Sequence, residues 1–240
     1  MELRIVIMAM LVAGAGACSG KDEAAPQASE APAGSAWIQP PRIDALAADG
    51  TDRLVRGAAG PGARVVLRGA DGEAVAAAAD AKGRFELRIP APSAPVLLTP
   101  EVQIGEDASV SPDRLVLIPG GPAALIAAGE ATRRLDAAGP LDAIDSDGAA
   151  LQIVGRASPQ GAPPTVVVDG APEAVTRLSD GRWRVLVSGG GARSIVVGGR
   201  TYAYPGVGAP EGTTLARAGD GWRIGWPTPP QGRQESWLPD

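Results

Sequence analysis

No histidine occurs among the 240 residues of this chain, and cysteine occurs once, at Cys18. Histidine is the commonest general base and metal ligand. Its absence excludes a Ser-His-Asp triad, a Cys-His pair and zinc sites built from His and Cys. Lysine is confined to Lys21 and Lys82, so Ser-Lys chemistry and carboxylate dyads remain open in form only. A single cysteine permits no intramolecular disulfide, and the core must hold the fold alone. Aromatics are 3% of the chain, so that core is built from Val, Leu, Ile and Ala. The net charge of −5 argues against nucleic acid, which needs a basic stripe, and against anionic lipid bound through a basic patch. No glycine-rich loop of phosphate-binding form opens a helix. No catalytic residue, metal or cofactor is expected from these patterns.

What is present begins with an uncharged run, Ile5 to Ala17. It is shorter than the roughly 20 residues a membrane-spanning helix requires. It has the shape of a signal peptide, with small residues Ala15, Gly16 and Ala17 at its end. "VAGAGACSGKD" around Cys18 resembles the bacterial lipoprotein lipobox, with Ala15 where that pattern favours leucine. The resemblance implies that the Cys18 thiol receives a diacylglyceryl group, that cleavage precedes it and that the new amine is acylated. Two or more acyl chains anchor stably where one does not, at ~0.8 kcal/mol per buried CH₂. Ser19, in place of an inner-membrane-retaining aspartate, points to the outer membrane, with the domains in the periplasm or at the cell surface. An ordinary cleaved signal peptide with an incidental cysteine is the alternative reading. "SGKDEAAPQASEAPAGSA" (19–36) lacks apolar periodicity and reads as a flexible tether.

The remainder repeats itself. "IDALAADG" (43–50) matches "LDAIDSDG" (141–148), with Asp44 corresponding to Asp142, a shift of 98 residues (142 − 44). The same shift carries "LVRG" (54–57) onto "QIVG" (152–155) and "KGRFEL" (82–87) onto "DGRWRV" (180–185). The ends match more weakly, "AALIAAGEATRRL" (123–135) with "TTLARAGDGWRIG" (213–225), at a shift of 90 (213 − 123). Each copy reads as strands. Phe85, Leu87 and Ile89 alternate with Arg84, Glu86 and Arg88, a period of two with one face buried. Trp183, Val185 and Val187 hold the same face in the second copy. Val65 and Leu67, and likewise Val166 and Val168, share faces of a preceding strand. "ADGE" and "DAKG" supply turn residues.

"GAAGPGARVVLRGADGEAVAAAADAKGRFELRIP" resembles the bacterial Ig-like repeats of envelope proteins, and carboxypeptidase-regulatory-like β-domains share much of the pattern. The resemblance implies small β-sandwiches used as spacers or adhesion modules, with no catalytic residues to transfer. The expected organisation is a signal peptide (1–17), a lipidated cysteine with tether (18–40), two tandem Ig-like β-sandwich domains (41–138 and 139–230) and a C-terminal tail (231–240). The fold class is all-β.

Three groups of residues invite a site. Asp142, Asp145 and Asp147 alternate before Gly148 in the manner of a calcium loop, although an inter-domain turn closed by Asx hydrogen bonds fits better. Trp222, Ile224 and Trp226 share a face of "GWRIGW" and offer a partner or glycan platform; the alternative is that they cover a sandwich edge or pack on the first domain. Arg133 and Arg134 read as a solvated strand face, and Tyr202 and Tyr204 as core. The functional expectation is a non-enzymatic, lipid-anchored envelope protein serving as a structural or interaction module. Its partners are membrane lipid through Cys18 and an envelope protein or, through the Trp face, a glycan.

Overall fold

The computed structural model describes residues 38–105, 107–157, 161–209, 211–228, 230 and 232–240. Cys18, the signal segment and the tether through residue 37 lie outside the described residues. The first copy contributes β1 (Arg42–Asp49), β2 (Asp52–Ala58), β3 (Arg64–Gly69), β4 (Ala74–Ala78), β5 (Arg84–Pro90), β6 (Val96–Ile104), β7 (Asp107–Val110), β8 (Arg114–Leu117), β9 (Ala123–Ile126) and β10 (Arg133–Arg134). The second contributes β11 (Ala143–Ser146), β12 (Ala150–Arg156), β13 (Val166–Val168), β14 (Ala171–Glu173), β15 (Thr176–Arg177), β16 (Arg182–Ser188), β17 (Arg193–Val197), β18 (Arg200–Tyr204), β19 (Thr214–Arg217), β20 (Gly221–Thr228) and β21 (Gly232–Pro239). No helix occurs among the described residues, and every strand pairing is antiparallel.

Four sheets result. Their strand orders are β1-β2-β5, then β10-β9-β8-β6-β3-β4 with β7 against β6, then β15-β16-β12-β11-β21-β20-β19, and last β14-β13-β17-β18. The first two sheets enclose one core, in which Val55, Phe85, Leu87 and Ile89 meet Val65, Leu67, Val102 and Leu115. The last two enclose a second, in which Ile153, Trp183, Val185 and Trp237 meet Val166, Val168, Ile195, Tyr202 and Tyr204.

The 98-residue shift is written into the strand register. β2 pairs with β5 from Asp52 opposite Pro90 to Ala58 opposite Arg84, and β12 with β16 from Ala150 opposite Ser188 to Arg156 opposite Arg182. Adding 98 to each member of the first ladder gives the second. Gly57 lies opposite Phe85 and Gly155 opposite Trp183, because the ring lies across the glycine. A Cβ on Gly57 would fall 2.6 Å from Phe85 Cζ and against the Arg42 carbonyl oxygen; one on Gly155 would fall 2.5 Å from Trp183 Cζ2 and against the Pro140 carbonyl oxygen. The hairpin glycines Gly83 and Gly181 both have positive φ, +74° and +84°, a backbone region that disfavours a Cβ. The weaker match at a shift of 90 has no such counterpart: β9 lies beside β8 in the second sheet, whereas β19 closes the edge of the third.

A third buried cluster joins the two copies. Val116, Ile118, Ala124 and Ile126, on the far face of the second sheet, pack with Ala143, Val154, Ile224, Trp226 and Leu238 on the far face of the third. The two central sheets are therefore covered on both sides. β9 and β11, in the middle of these sheets, are buried at every position, whereas β5 of the outer sheet alternates strictly. Continuous apolar runs are what burial on both faces demands. At about 1.5–3 kcal/mol for each large aliphatic side chain removed from water, this seam contributes on the order of 10 kcal/mol before ordering costs. That is comparable to the whole stability of an ordinary domain.

Within the expected tail, residues Gly232–Pro239 are built into the third sheet. β21 lies between β11 and β20, with Trp237 in the second core and Leu238 in the seam.

Candidate functional site

The seam absorbs the residues expected to form an exposed aromatic face. Trp226 is 3% exposed and Ile224 fully buried, both against the first copy's β8 and β9. Trp222 is half-buried beneath Arg217, whose guanidinium carbon lies 4.8 Å from the ring centroid. Trp222, Ile224 and Trp226 are thus not a platform. The outward face of β20 meets another apolar sheet, and covering it removes more apolar surface from water than leaving it exposed.

Several buried polar side chains bond across the seam. Asp145 is buried on β11; its Oδ1 accepts from Ser236 Oγ (2.6 Å) and its Oδ2 from the Thr132 backbone N–H (2.8 Å). Thr132 Oγ1 and Ser236 Oγ are 2.7 Å apart. Burial pushes the Asp145 carboxyl up, and the Ser236 and Thr132 hydrogen bonds oppose it. A serine hydroxyl donating to a carboxylate has the form of a nucleophile and base, but Ser236 is fully buried.

Arg134 corrects the expectation of a solvated face. It is 4% exposed, holds Asp136 through two hydrogen bonds (2.7 and 2.6 Å) and donates through Nη1 to the Pro239 carbonyl (2.8 Å). Burial alone would raise the Asp136 pKa; Arg134 holds it below the usual range. Arg182 donates to the Ala131 and Thr132 carbonyls, and the Gly129 N–H to Gln234 Oε1, each a link from one copy to the other.

The three aspartates of "LDAIDSDG" do not share a ligand. Asp147 Oδ1 accepts from the Ala149 and Ala150 N–H groups (2.9 Å each), an Asx turn. Asp145 faces Thr132 and Ser236, and Asp142 faces Arg156 Nε (2.9 Å). No group of three His, Cys, Asp or Glu side chains suited to a metal ion is found among the described residues.

Asp142 is fully buried, and burial pushes its carboxyl up to about 6 despite Arg156. A folded-state pKa above the ordinary value means that ionisation opposes folding. The stabilising contribution is complete below about pH 4 and is lost as pH rises through 6. A shift of about two units corresponds to about 3 kcal/mol. Asparagine preserves an acceptor for Arg156 and does not ionise. The unfolding free energy of Asp142→Asn, measured against the parent by urea titration, is expected to gain about 3 kcal/mol between pH 4 and pH 8. A gap independent of pH counts against the shifted carboxyl.

One polar cleft of about 460 Å³ opens at the seam. Gly121, Arg134, Gly139, Arg200, Arg217 and Asp240 line it, together with Asp136. The Gly120–Gly121 turn and Asp136 also border a neighbouring hollow of about 380 Å³, walled by Leu46, Leu117 and Leu135. Arg217 Nη1 pairs with Asp240 Oδ2 (2.5 Å). Arg200 has no ion-pair partner among the described residues and stacks over Tyr202, 5.0 Å from the ring centroid. Tyr202 and Tyr204 lie in the second core; burial raises the Tyr204 pKa to about 12. None of the cleft residues was chosen as a site from the sequence. They are scattered from position 121 to 240, and only the seam assembles them.

No protein-family model and no curated protein matches this chain.

Proposed function

We propose that this chain is a non-enzymatic, lipid-anchored envelope protein in which two fused β-sandwich repeats of bacterial Ig-like type form one stiff structural or interaction module. Acylated Cys18 anchors it, Ser19 directs it to the outer membrane, and residues 19–36 set its reach. The supporting observation is the seam. The residues of β20 that would otherwise be adhesive join the copies, with Ile224, Trp226 and Leu238 closing on Val116, Ile118, Ala124 and Ile126. Two sandwiches so joined move as one body, which suits a spacer better than a flexible string of modules. An envelope protein is favoured over a glycan as partner, because the rings that would stack on sugars are covered. Sheet edges remain for pairing with a partner strand.

The anchor is tested by metabolic labelling with palmitate and by membrane fractionation. The parent chain is expected to take up label and sediment with outer membranes, and Cys18→Ser to lose label and become soluble. Unlabelled parent protein, or Cys18→Ser that still sediments, removes the lipid from the reading.

A further inference from the structure

The seam cleft gathers three guanidinium groups, those of Arg134, Arg200 and Arg217, about the Asp136 and Asp240 side chains, in a chain of net −5. The three guanidinium groups are not equivalent. Arg134 spends its donors on Asp136, Pro239 and Asp142. Arg217 already holds one carboxylate, that of Asp240. The side chain of Arg200, an exposed residue, makes no hydrogen bond or ion pair among the described residues and lies over the Tyr202 ring, 5.0 Å from its centroid. A planar guanidinium with its donors free is suited to bidentate recognition of an oxyanion.

A second observation lies behind that wall of the cleft. Tyr202 is 5% exposed, and its hydroxyl has no hydrogen-bond partner. Burial raises its pKa, and Arg200 and the Leu141 amide oppose the rise, but neither meets it with bonding geometry. The hydroxyl lies at Gly139: a Cβ there would be 3.3 Å from Tyr202 Oη and 3.2 Å from Arg200 Nη1. Glycine at this position thus leaves room for the Arg200 guanidinium and the Tyr202 hydroxyl. The hydroxyl is closed to solvent and Tyr202 does not line the cleft, so Arg200 is the group that meets an anion. The cleft falls within the roughly 300–1,000 Å³ of small-molecule sites.

We infer that the seam cleft binds a carboxylate, carried by a peptide end or by a small organic acid, on Arg200 and Arg217. The carboxylate that Arg217 already holds, that of Asp240, is the precedent for such a ligand. Asp240 is the internal competitor, because it occupies Arg217 in the way the ligand would. The inference does not depend on the lipid anchor, and the cleft binds whether or not Cys18 is acylated.

Isothermal titration calorimetry on the full-length chain in non-ionic detergent tests it, with acetyl-Ala-Ala, its C-terminal amide, propionate and inorganic phosphate as probes. The free acid is expected to bind saturably and the amide at least tenfold more weakly. Arg200→Gln is expected to loosen the acid at least tenfold with an unchanged melting temperature. Gly139→Ala, which fills the wall and removes no charge, is expected to weaken binding, and Asp240→Asn to tighten it. A dipeptide tenfold tighter than propionate assigns the site to peptide ends, and equal affinities assign it to small acids. Equal binding of acid and amide, or an Arg200→Gln variant that binds like the parent, overturns the inference. Phosphate tighter than either carboxylate overturns the choice of ligand.

Discussion

Trp226→Ala is expected to remove about 3–5 kcal/mol from the unfolding free energy, the cost of truncating a large buried aromatic. Trp226 is one of the largest side chains in the seam and lies under the Arg114 guanidinium, 5.4 Å from the ring centroid. Its loss leaves a cavity between two sheets, each already committed to its own core on the other side. Neither sheet can move to close the gap without opening that core. The variant is therefore expected to show the two cores unfolding in separate urea transitions where the parent shows one. Trp222→Ala, at the half-buried rim, serves as the control and is expected to cost less. If Trp226→Ala unfolds within 1 kcal/mol of the parent and instead loses capture of a partner, the face is a binding platform after all, and the seam is not what holds the copies together.

Much of the fold was legible in the sequence, for a physical reason. The outer sheets have one wet face, so Phe85, Leu87 and Ile89 alternate with Arg84, Glu86 and Arg88, and the alternation announces a strand. The repeat was legible because Gly57 with Phe85 and Gly155 with Trp183 are one packing solution used twice. The seam was harder to see. Its signal was consecutive apolar residues, as at 115–118 and 123–127, where a sheet with one wet face needs only every second one. β21 was concealed by its polarity. Glu235 and Ser236 are buried, but Glu235 pairs with Arg223 (3.4 Å) and Arg233 (3.1 Å) and accepts from the Gly208 N–H (2.7 Å). A buried polar strand is affordable only when distant segments supply its partners, and no local pattern records those.

Asp145→Ala is the other large expected effect. The first copy has Ala47 at this register position, on β1, an edge strand of its sheet. In the second copy β11 is interior, with Gln152 and Ser236 directly opposite Asp145 on its two neighbours. An added strand brought Ser236, the facing sheet brought Thr132, and a carboxylate satisfies both donors. Alanine leaves the Thr132 N–H buried without its acceptor, at about 1–3 kcal/mol, and leaves the Ser236 hydroxyl with Thr132 Oγ1 alone. The expected loss is about 2–4 kcal/mol by urea titration. Asp145→Asn keeps one acceptor oxygen and turns its amide donors toward the Thr132 N–H, so it is expected to lose less. The pH dependence separates charge from hydrogen bonding. Burial holds the Asp145 carboxyl above its ordinary value, so the parent is favoured most at low pH and loses stability as the group ionises above about pH 4. The asparagine variant has no such loss, and its deficit is expected to narrow as pH rises. A deficit that widens with pH would mean that the ionised carboxylate is the better-accommodated form. An alanine variant as stable as the parent would mean that the seam does not depend on this acceptor.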